Sequence, residues 1–515
     1  MQRMSSSGPD KFIAQKGIVV LVLVISLALG AIAYLLTGLS VEEIKQHQLV
    51  ATSQSLHRAK NALLAYAATR ADIATPTPKP GQYGFLPCPD VDNSGTEGNS
   101  EDSCENPNWN AIGWLPWKTL GLPPLKDNSG TCLLYAVSSS YKENPPYAML
   151  NEDTNGMFQV VNHSGAVVAG ANPEDRIVAI IFAPGKALPG QSRNFESGSI
   201  CGEDYNNYAA YLDVGGLNGA IDNSDVAAAD DRIDQFIHAT AASTAATEPN
   251  PYNDRFVTIT RDDIWTLFNK RKDLVNATEK SKIARMTQAL AQCIAAYGND
   301  NANRWLPMPA PEDLAGNDYR DNVSYNDDAG TNHRGRYPYI VDTADGIIPG
   351  TSGGSILFDK QYLCDALPIE WPSAPNGPNA DLSAATTSED RIMWEHWKDH
   401  VFYAVSATYD PKSLPAVPDP IPRCGDCLQV DGVKYAAVVI YSNRRLDELG
   451  QTRVAPIAPG DIDTKSDYTN YLELTDADTA GTGDYTPIST IKDEDKDIIY
   501  CITDTEPLDV IPCSP

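Results

Sequence analysis

The sequence predicts an α+β protein with its helices and strands segregated, and three observations carry that prediction. A long stretch with helical character precedes every strand signal, and the remainder is a series of short β-rich runs separated by Gly, Pro, Asn and Asp loops. This order of one helix followed by strands then occurs a second time.

The first element begins after a polar leader, residues 1–17, that carries Arg3, Lys11 and Lys16 against the single acid Asp10. An apolar run from Ile18 to Leu36 follows, with no charge and Ser26 as its only polar side chain. At 1.5 Å rise per residue it makes about 28 Å of helix, close to the hydrocarbon thickness of a bilayer, so a transmembrane helix is expected over 18–38. The basic leader places the N-terminus in the cytoplasm. Two other readings compete. Ala31-Ile32-Ala33 has the small-x-small form of a signal peptidase site, although the apolar run continues past it. A plain uncleaved anchor is the other.

Residues 39–75 continue as an amphipathic helix. No Gly or Pro interrupts Val41 to Thr69, and Leu56, Leu63 and Tyr66 recur at helical spacing before Pro76, Pro78 and Pro80 end the segment.

The exported part divides into two units, 76–270 and 271–515, because its landmarks recur in the same order. Ala65-Tyr66-Ala67 has a counterpart in Ala296-Tyr297-Gly298, and Phe85-Leu86-Pro87-Cys88-Pro89 in Trp305-Leu306-Pro307-Met308-Pro309. Leu134-Tyr135-Ala136-Val137-Ser138 returns as Phe402-Tyr403-Ala404-Val405-Ser406. The strand ending Ile181-Phe182, followed by Gly190-Gln191-Ser192-Arg193, matches Ile440-Tyr441 with Gly450-Gln451-Thr452-Arg453, and Val257-Thr258-Ile259-Thr260 matches Tyr500-Cys501-Ile502-Thr503. Five matches in one order indicate an internal duplication. The second unit opens on its own amphipathic helix through Ile283, Met286, Leu290, Ile294 and Tyr297, which carries charges and cannot be a membrane span. Each unit is thus expected to pack one helix on a mainly antiparallel sheet.

Composition narrows the function. A net charge of −29 with no evident basic patch argues against nucleic acid as a partner. Acidity of this kind suits an extracytoplasmic surface and favours divalent cations over anions. All ten cysteines follow the apolar run: Cys88, Cys104, Cys132, Cys201, Cys293, Cys364, Cys424, Cys427, Cys501 and Cys513. An even number in that position predicts disulfides formed in an oxidising compartment. Cys424-Gly425-Asp426-Cys427 has redox or half-zinc spacing, but no second such pair completes a zinc site and the motif sits in a Pro-rich stretch. A tight structural disulfide, or two separate bridges, is expected there.

Few motifs carry chemistry. Asp90, Asp92, Ser94, Thr96 and Glu101 fit the D-x-D-x-S-G-x5-E spacing of a calcium loop, with hard oxygens at alternating positions and Gly95 at the turn. Pro87 and Pro89 precede it and Glu97 stands where a hydrophobic residue is usual, so the competing reading is an Asx-rich turn closed by Cys88 and Cys104. His396 and His400 stand four apart, but the order is Glu-His and not His-Glu-x-x-His, and an aromatic-rich packing helix is expected. Gly350 to Ser355 reads as a turn, with no triad partner in evidence, and Asp493 to Asp495 as a solvated loop. No catalytic residues are predicted.

The junction Gln15-Lys16-Gly17, the apolar helix directly behind it and the amphipathic continuation together resemble the leader of type IV pilins and type II secretion pseudopilins. The resemblance implies cleavage between Gly17 and Ile18 by a prepilin peptidase, methylation of Ile18, and two pilin-like units. It also implies contact with other pilins or pseudopilins through the N-terminal helix, and with an inner-membrane assembly platform. Val22 stands where most members carry a glutamate, and Ile18 where most carry Phe. Members without the glutamate are typically minor subunits at a filament tip. The expectation is therefore a non-enzymatic minor subunit, single-pass in the bacterial inner membrane with its C-terminal region periplasmic, reaching the cell surface on assembly and using its head for adhesion or cargo contact. The alternative is a membrane-anchored periplasmic binding protein or hydrolase.

Overall fold

The computed structural model describes residues 12–37, 41–73, 81–91, 97–104, 106–144, 149–193, 200–201, 207–226, 228–230, 232–240, 243, 251–275, 281–300, 303–314, 319–320, 322–327, 332–342, 360–364, 389–410, 422–425, 427–454, 463–472 and 496–513. The chain is α+β, as expected. Helix α1 (Phe12–Thr37) and helix α2 (Val41–Thr69) precede the first sheet.

Among the described residues no helix is long and apolar enough to cross a membrane. The described apolar side chains of α1, from Val19 to Ile32, stand exposed instead of packing against the rest of the chain. This overturns the transmembrane helix predicted over 18–38. The single-pass inner-membrane placement, with cytoplasmic N-terminus and periplasmic C-terminal region, falls with it.

The first sheet is built from β1 (Ala111–Trp114), β2 (Leu134–Val137), β3 (Phe158–Val161), β4 (Val167–Ala169) and β5 (Ile177–Ala183). After a short ribbon of β6 (Val214–Gly215) and β7 (Ile221–Asp222) come β8 (Asp234–Ile237) and β9 (Arg255–Thr260). The strands run in the order β1-β2-β5-β3-β4, with β9 paired to β5 and β8 to β3. Among the described residues only the β3/β8 strand pair is parallel. Helix α2 lays Leu56, Ala59, Leu63 and Ala67, one stripe at helical spacing, into the core over β5 and β9. Lys60 fixes the docking through Asp263 at 2.8 Å, on the short helix α3 (Arg261–Phe268). That helix starts with a capping box between Thr260 and Asp263.

The second sheet follows α4 (Lys282–Asp300). It contains β10 (Arg334–Arg336), and after a ribbon of β11 (Ile340–Asp342) and β12 (Lys360–Tyr362) comes α5 (Glu389–Trp397). Then follow β13 (Val401–Val405), a ribbon of β14 (Leu428–Val430) and β15 (Val433–Tyr435), β16 (Ala437–Tyr441), β17 (Ile498–Ile502) and β18 (Val510–Pro512). The order β10-β13-β16-β17-β18 is antiparallel throughout. The α4 stripe Ile283, Met286, Leu290, Ile294 and Tyr297 is buried, with α4 packed on β16, β17, β18 and α5.

The path β1-β2-β5-β9 in one sheet has the same strand directions as β10-β13-β16-β17 in the other. The flanking bonds repeat as well. Leu86 N donates to Tyr141 O and Leu306 N to Tyr409 O, while Asp90 and Trp114 exchange backbone bonds as Ala310 and Arg336 do. The ladders correct one sequence pairing. Leu134 lies opposite Phe182 and Phe402 opposite Ile440, so Ala183, not Phe182, occupies the place of Tyr441. Two short apolar runs slide past one another without penalty in sequence, whereas a one-residue slip in a sheet exchanges its faces. The faces agree with the ladder: Ala179, Ile181 and Ala183 meet the helix side, as do Ala437, Val439 and Tyr441.

Five disulfides join Cys88 to Cys104, Cys132 to Cys201, Cys293 to Cys364, Cys424 to Cys427 and Cys501 to Cys513. Each closes within one unit. The Cys424-x-x-Cys427 pair is bonded to itself, the first of the two alternatives for that motif.

Candidate functional site: the seam between the two sheets

One hydrophobic core runs through both units, and at its edge lies a polar seam. It is built from the segment after Tyr141 in the first unit and the entry to β13 in the second. Leu150 N donates to His396 Nδ1 at 3.2 Å, and Asn151 Nδ2 donates to the His396 carbonyl at 2.8 Å and to Asp399 Oδ1 at 2.7 Å. Asp153 Oδ2 lies 3.0 Å from His400 Nε2 and 3.6 Å from Lys465 Nζ, and accepts from the Tyr471 hydroxyl at 3.3 Å. Lys465 also pairs with Asp399. Next along the chain, Glu152 Oε1 meets Arg453 Nη1 at 3.1 Å and accepts from Arg445 N at 3.0 Å. Arg336, fully buried, donates to the carbonyls of Asp399 and Lys465 and faces the rings of Phe402 and Tyr471.

Burial raises the Asp153 carboxyl, but His400 and Lys465 outweigh it and hold the group well below the ordinary carboxylate range. Asp399 moves the same way, against its burial, chiefly through Lys465. Burial lowers Lys465, and the two aspartates more than restore it, leaving it above its usual value. His396 is pushed down to about 3 by burial and by Lys398, so it is neutral and its Nδ1 accepts the Leu150 amide. Beside this network Trp397 stacks on Phe268 with centroids 5.5 Å apart and meets Trp265 edge-on. A cavity of about 200 Å³ opens there, lined by Glu152, Asp153, Arg261, Trp265, Asn269 and Arg445 among others.

Glu152, Asp153 and His400 place three ligand-type atoms within 4.8 Å of one another, the only such group among the described residues. They do not fit a metal. Glu152 already faces Arg453, and Asp153 and Asp399 share Lys465, so a divalent ion would have to displace an ammonium and a guanidinium. The ionisable groups of the seam are committed to one another, an arrangement for holding two units together and not for turning over a substrate.

Comparison with protein-family models, with characterised proteins and with solved structures finds no match.

The predicted calcium loop is only partly placed. Asp92, Ser94 and Thr96 lie outside the described residues. Asp90 is buried, its Oδ2 accepting from Gly98 N at 2.5 Å, and Glu101 Oε1 accepts from Val91 N at 3.3 Å. Glu97, the residue out of place for a calcium loop, binds the amides of Ile200 and Cys201 at 3.0 and 2.6 Å, tying the loop to a disulfide. Gly17 and Ile18 fall within the backbone of α1, their side chains outside the described residues, as are Gly350 to Ser355 and Asp493 to Asp495. His396 and His400 do not share a helix face, because α5 ends at Trp397. The seam itself was not read from the sequence. Asp153 and Lys465 stand more than 300 residues apart, and only the repeated Gln-x-Arg of Gln191 to Arg193 and Gln451 to Arg453 hinted at one of its members.

Proposed function

We propose that the protein is a non-enzymatic structural subunit of a pilin-like filament, of the type IV pilus or type II secretion pseudopilin kind, attached through its N-terminal helix. One observation carries this reading: Val, Leu and Ile side chains along residues 19–32 of α1 are 50–65% exposed, with no charge among them. So much contiguous apolar surface on one helix needs a cover, and helices of neighbouring subunits supply one of matching shape and chemistry. Helix α2 supports the same arrangement. Its C-terminal part is buried on the first sheet while Leu49 and Val50, near its start, remain exposed.

Val22 in place of the usual glutamate argues for a minor subunit at the tip. A terminal amine buried in an apolar bundle is costly without a paired carboxylate, so nothing is readily stacked against this chain from one side. The partners of this reading are a prepilin peptidase, other pilins or pseudopilins and an assembly platform, with the two-sheet head free for adhesion or cargo. Mass spectrometry of the protein from its native host tests it. A mature terminus at Ile18, N-methylated, is expected, and an intact Met1 overturns the reading.

A further inference from the structure

The first unit holds a second acidic cluster, away from the seam. Asp213 follows the turn Tyr208–Ala210, and Asp254 immediately precedes β9; they are 3% and 0% exposed. Each accepts the backbone N–H of the other: Asp213 N donates to Asp254 Oδ2 at 2.7 Å, and Asp254 N to Asp213 Oδ2 at 3.2 Å. Asn253 N adds 2.6 Å to Asp213 Oδ2, and Gln191 Nε2 reaches Asp213 Oδ1 at 2.9 Å.

These bonds leave two oxygens over. Asp254 Oδ1 and Asn253 Oδ1 are buried and have no hydrogen-bond partner among the described residues. An orphan oxygen on a fully buried carboxylate is costly. The nearest cation does not relieve it. Arg193 gives its hydrogen bonds to the carbonyls of Ala210, Gly185 and Tyr211, to Gln191 Oε1 and to Thr131 Oγ1, none to a carboxylate. The equivalent place in the second unit is arranged differently. By the strand register Ile259 corresponds to Ile502, so Asp497 stands for Asp254 and Lys496 for Asn253, and Asp497 Oδ1 accepts from Asn443 N at 3.1 Å.

We propose that Asp254, Asp213 and Asn253 bind a calcium ion, with the orphan oxygens of Asp254 and Asn253 as ligands. Hard oxygens of two carboxylates and an amide, held on loop segments, suit Ca²⁺ better than the octahedral demands of Mg²⁺. Asn253 is half-buried and gives the ion and its remaining waters a route in.

The test is thermal unfolding of the full chain after chelation, with and without calcium. At 1 mM CaCl2 a rise in Tm of about 5 °C is expected, as for a ligand well above its Kd, and less with MgCl2. Asp254→Asn removes the rise while leaving the calcium-free Tm equal to or above that of the parent protein. Asp92→Ala, in the predicted 90–101 loop, leaves the rise intact. No rise in the parent protein overturns the inference, as does a rise that survives Asp254→Asn. If Asp254→Asn fails to fold, Asn253→Ala takes its place, and an undiminished calcium response in that variant overturns the inference equally.

Discussion

Asp153 is the residue on which the union of the two units turns. Replacing it by Ala removes the carboxylate that faces His400 Nε2 at 3.0 Å, Lys465 at 3.6 Å and Tyr471 at 3.3 Å, all in a site that is almost solvent-free. Truncating one partner of a buried ion pair leaves the other charge without compensation and costs about 3–5 kcal/mol. At 2–4 °C per kcal/mol for units of this size, the expected fall in Tm is roughly 10 °C. Because the lost contacts join the first unit to the second, the unfolding endotherm of Asp153→Ala should also broaden or split. The double variant Asp153→Ala/Lys465→Met separates mechanism from general damage. Lys465 keeps only Asp399 once Asp153 is gone, and removing it as well takes away that half-compensated ammonium, so the double variant should be less destabilised than the sum of the two single ones. Scanning calorimetry and a urea titration read all four proteins. A single transition with Tm within 2 °C of the parent protein, or a strictly additive double variant, would refute the reasoning.

The same groups set a pH window. Asp153 and Asp399 are depressed below 3.8, so the unfolded chain takes up protons first and their contribution, complete above that value, is lost as pH falls further. Lys465 is raised above 10.5, so its contribution is complete below that value and is lost as pH rises through its folded pKa; urea midpoints should show the seam's contribution flat between these limits. Trp397→Ala, which empties the aromatic stack on Phe268 and Trp265, should cost about 3–5 kcal/mol by chemical denaturation. Lys142, fully buried, donates to the carbonyls of Cys104, Asn106 and Trp109; Lys142→Met takes a donor from all three, leaving Asn106 O only the Trp109 amide, and amide exchange should rise first between 104 and 109. Replacing Cys293 and Cys364 by Ser opens a loop of 71 residues and should cost about 4 kcal/mol, with the other four pairs intact in a non-reducing peptide map.

Those parts of the fold governed by local periodicity were legible in the sequence. The α4 stripe from Ile283 to Tyr297 follows directly from 3.6-residue spacing, and the strand pairs 134–137 and 401–405 from repeated apolar runs. Tyr66 was misplaced for a reason of the same kind. Periodicity put it with Leu56 and Leu63, but Ala59 and Ala67 fill that stripe, and the longer side chain reaches sideways to Glu143. The seam obeys no local rule. Asn151, Glu152 and Asp153 read as an ordinary acidic turn until topology brings them against Asp399, His400 and Lys465. The membrane span predicted over 18–38 was overturned as well, although the run that predicted it carries no charge.

The two Gln-x-Arg segments show how a repeated element acquires a second role. In the first unit Arg193 donates to Ala210 O, Tyr211 O and Gly185 O, braced by Gln191 Oε1, with its guanidinium 5.2 Å from the Tyr211 ring. In the second, Arg453 donates to Asn470 O, Tyr471 O and Asn443 O, braced by Gln451 Oε1, 4.6 Å from the Tyr471 ring. The clamp is the same, closing the loop after the central strand onto the same Tyr turn. Two contacts differ: Arg193 also donates to Thr131 Oγ1 of its own unit, whereas Arg453 receives Glu152 from the other unit, and it is fully buried where Arg193 is half-buried. The second clamp is therefore both a loop brace and the socket for the first unit, whereas the first clamp braces its own loop. Arg193→Gln should accordingly lower the stability of the first unit without changing the coupling between units. Arg453→Gln should lower both, and a double-mutant cycle with Glu152→Gln should return a coupling of about 1–3 kcal/mol. A coupling near zero, or equal loss of inter-unit cooperativity in the two arginine variants, would mean that the aromatic stack around Trp397 holds the units together and the charged seam merely lines it.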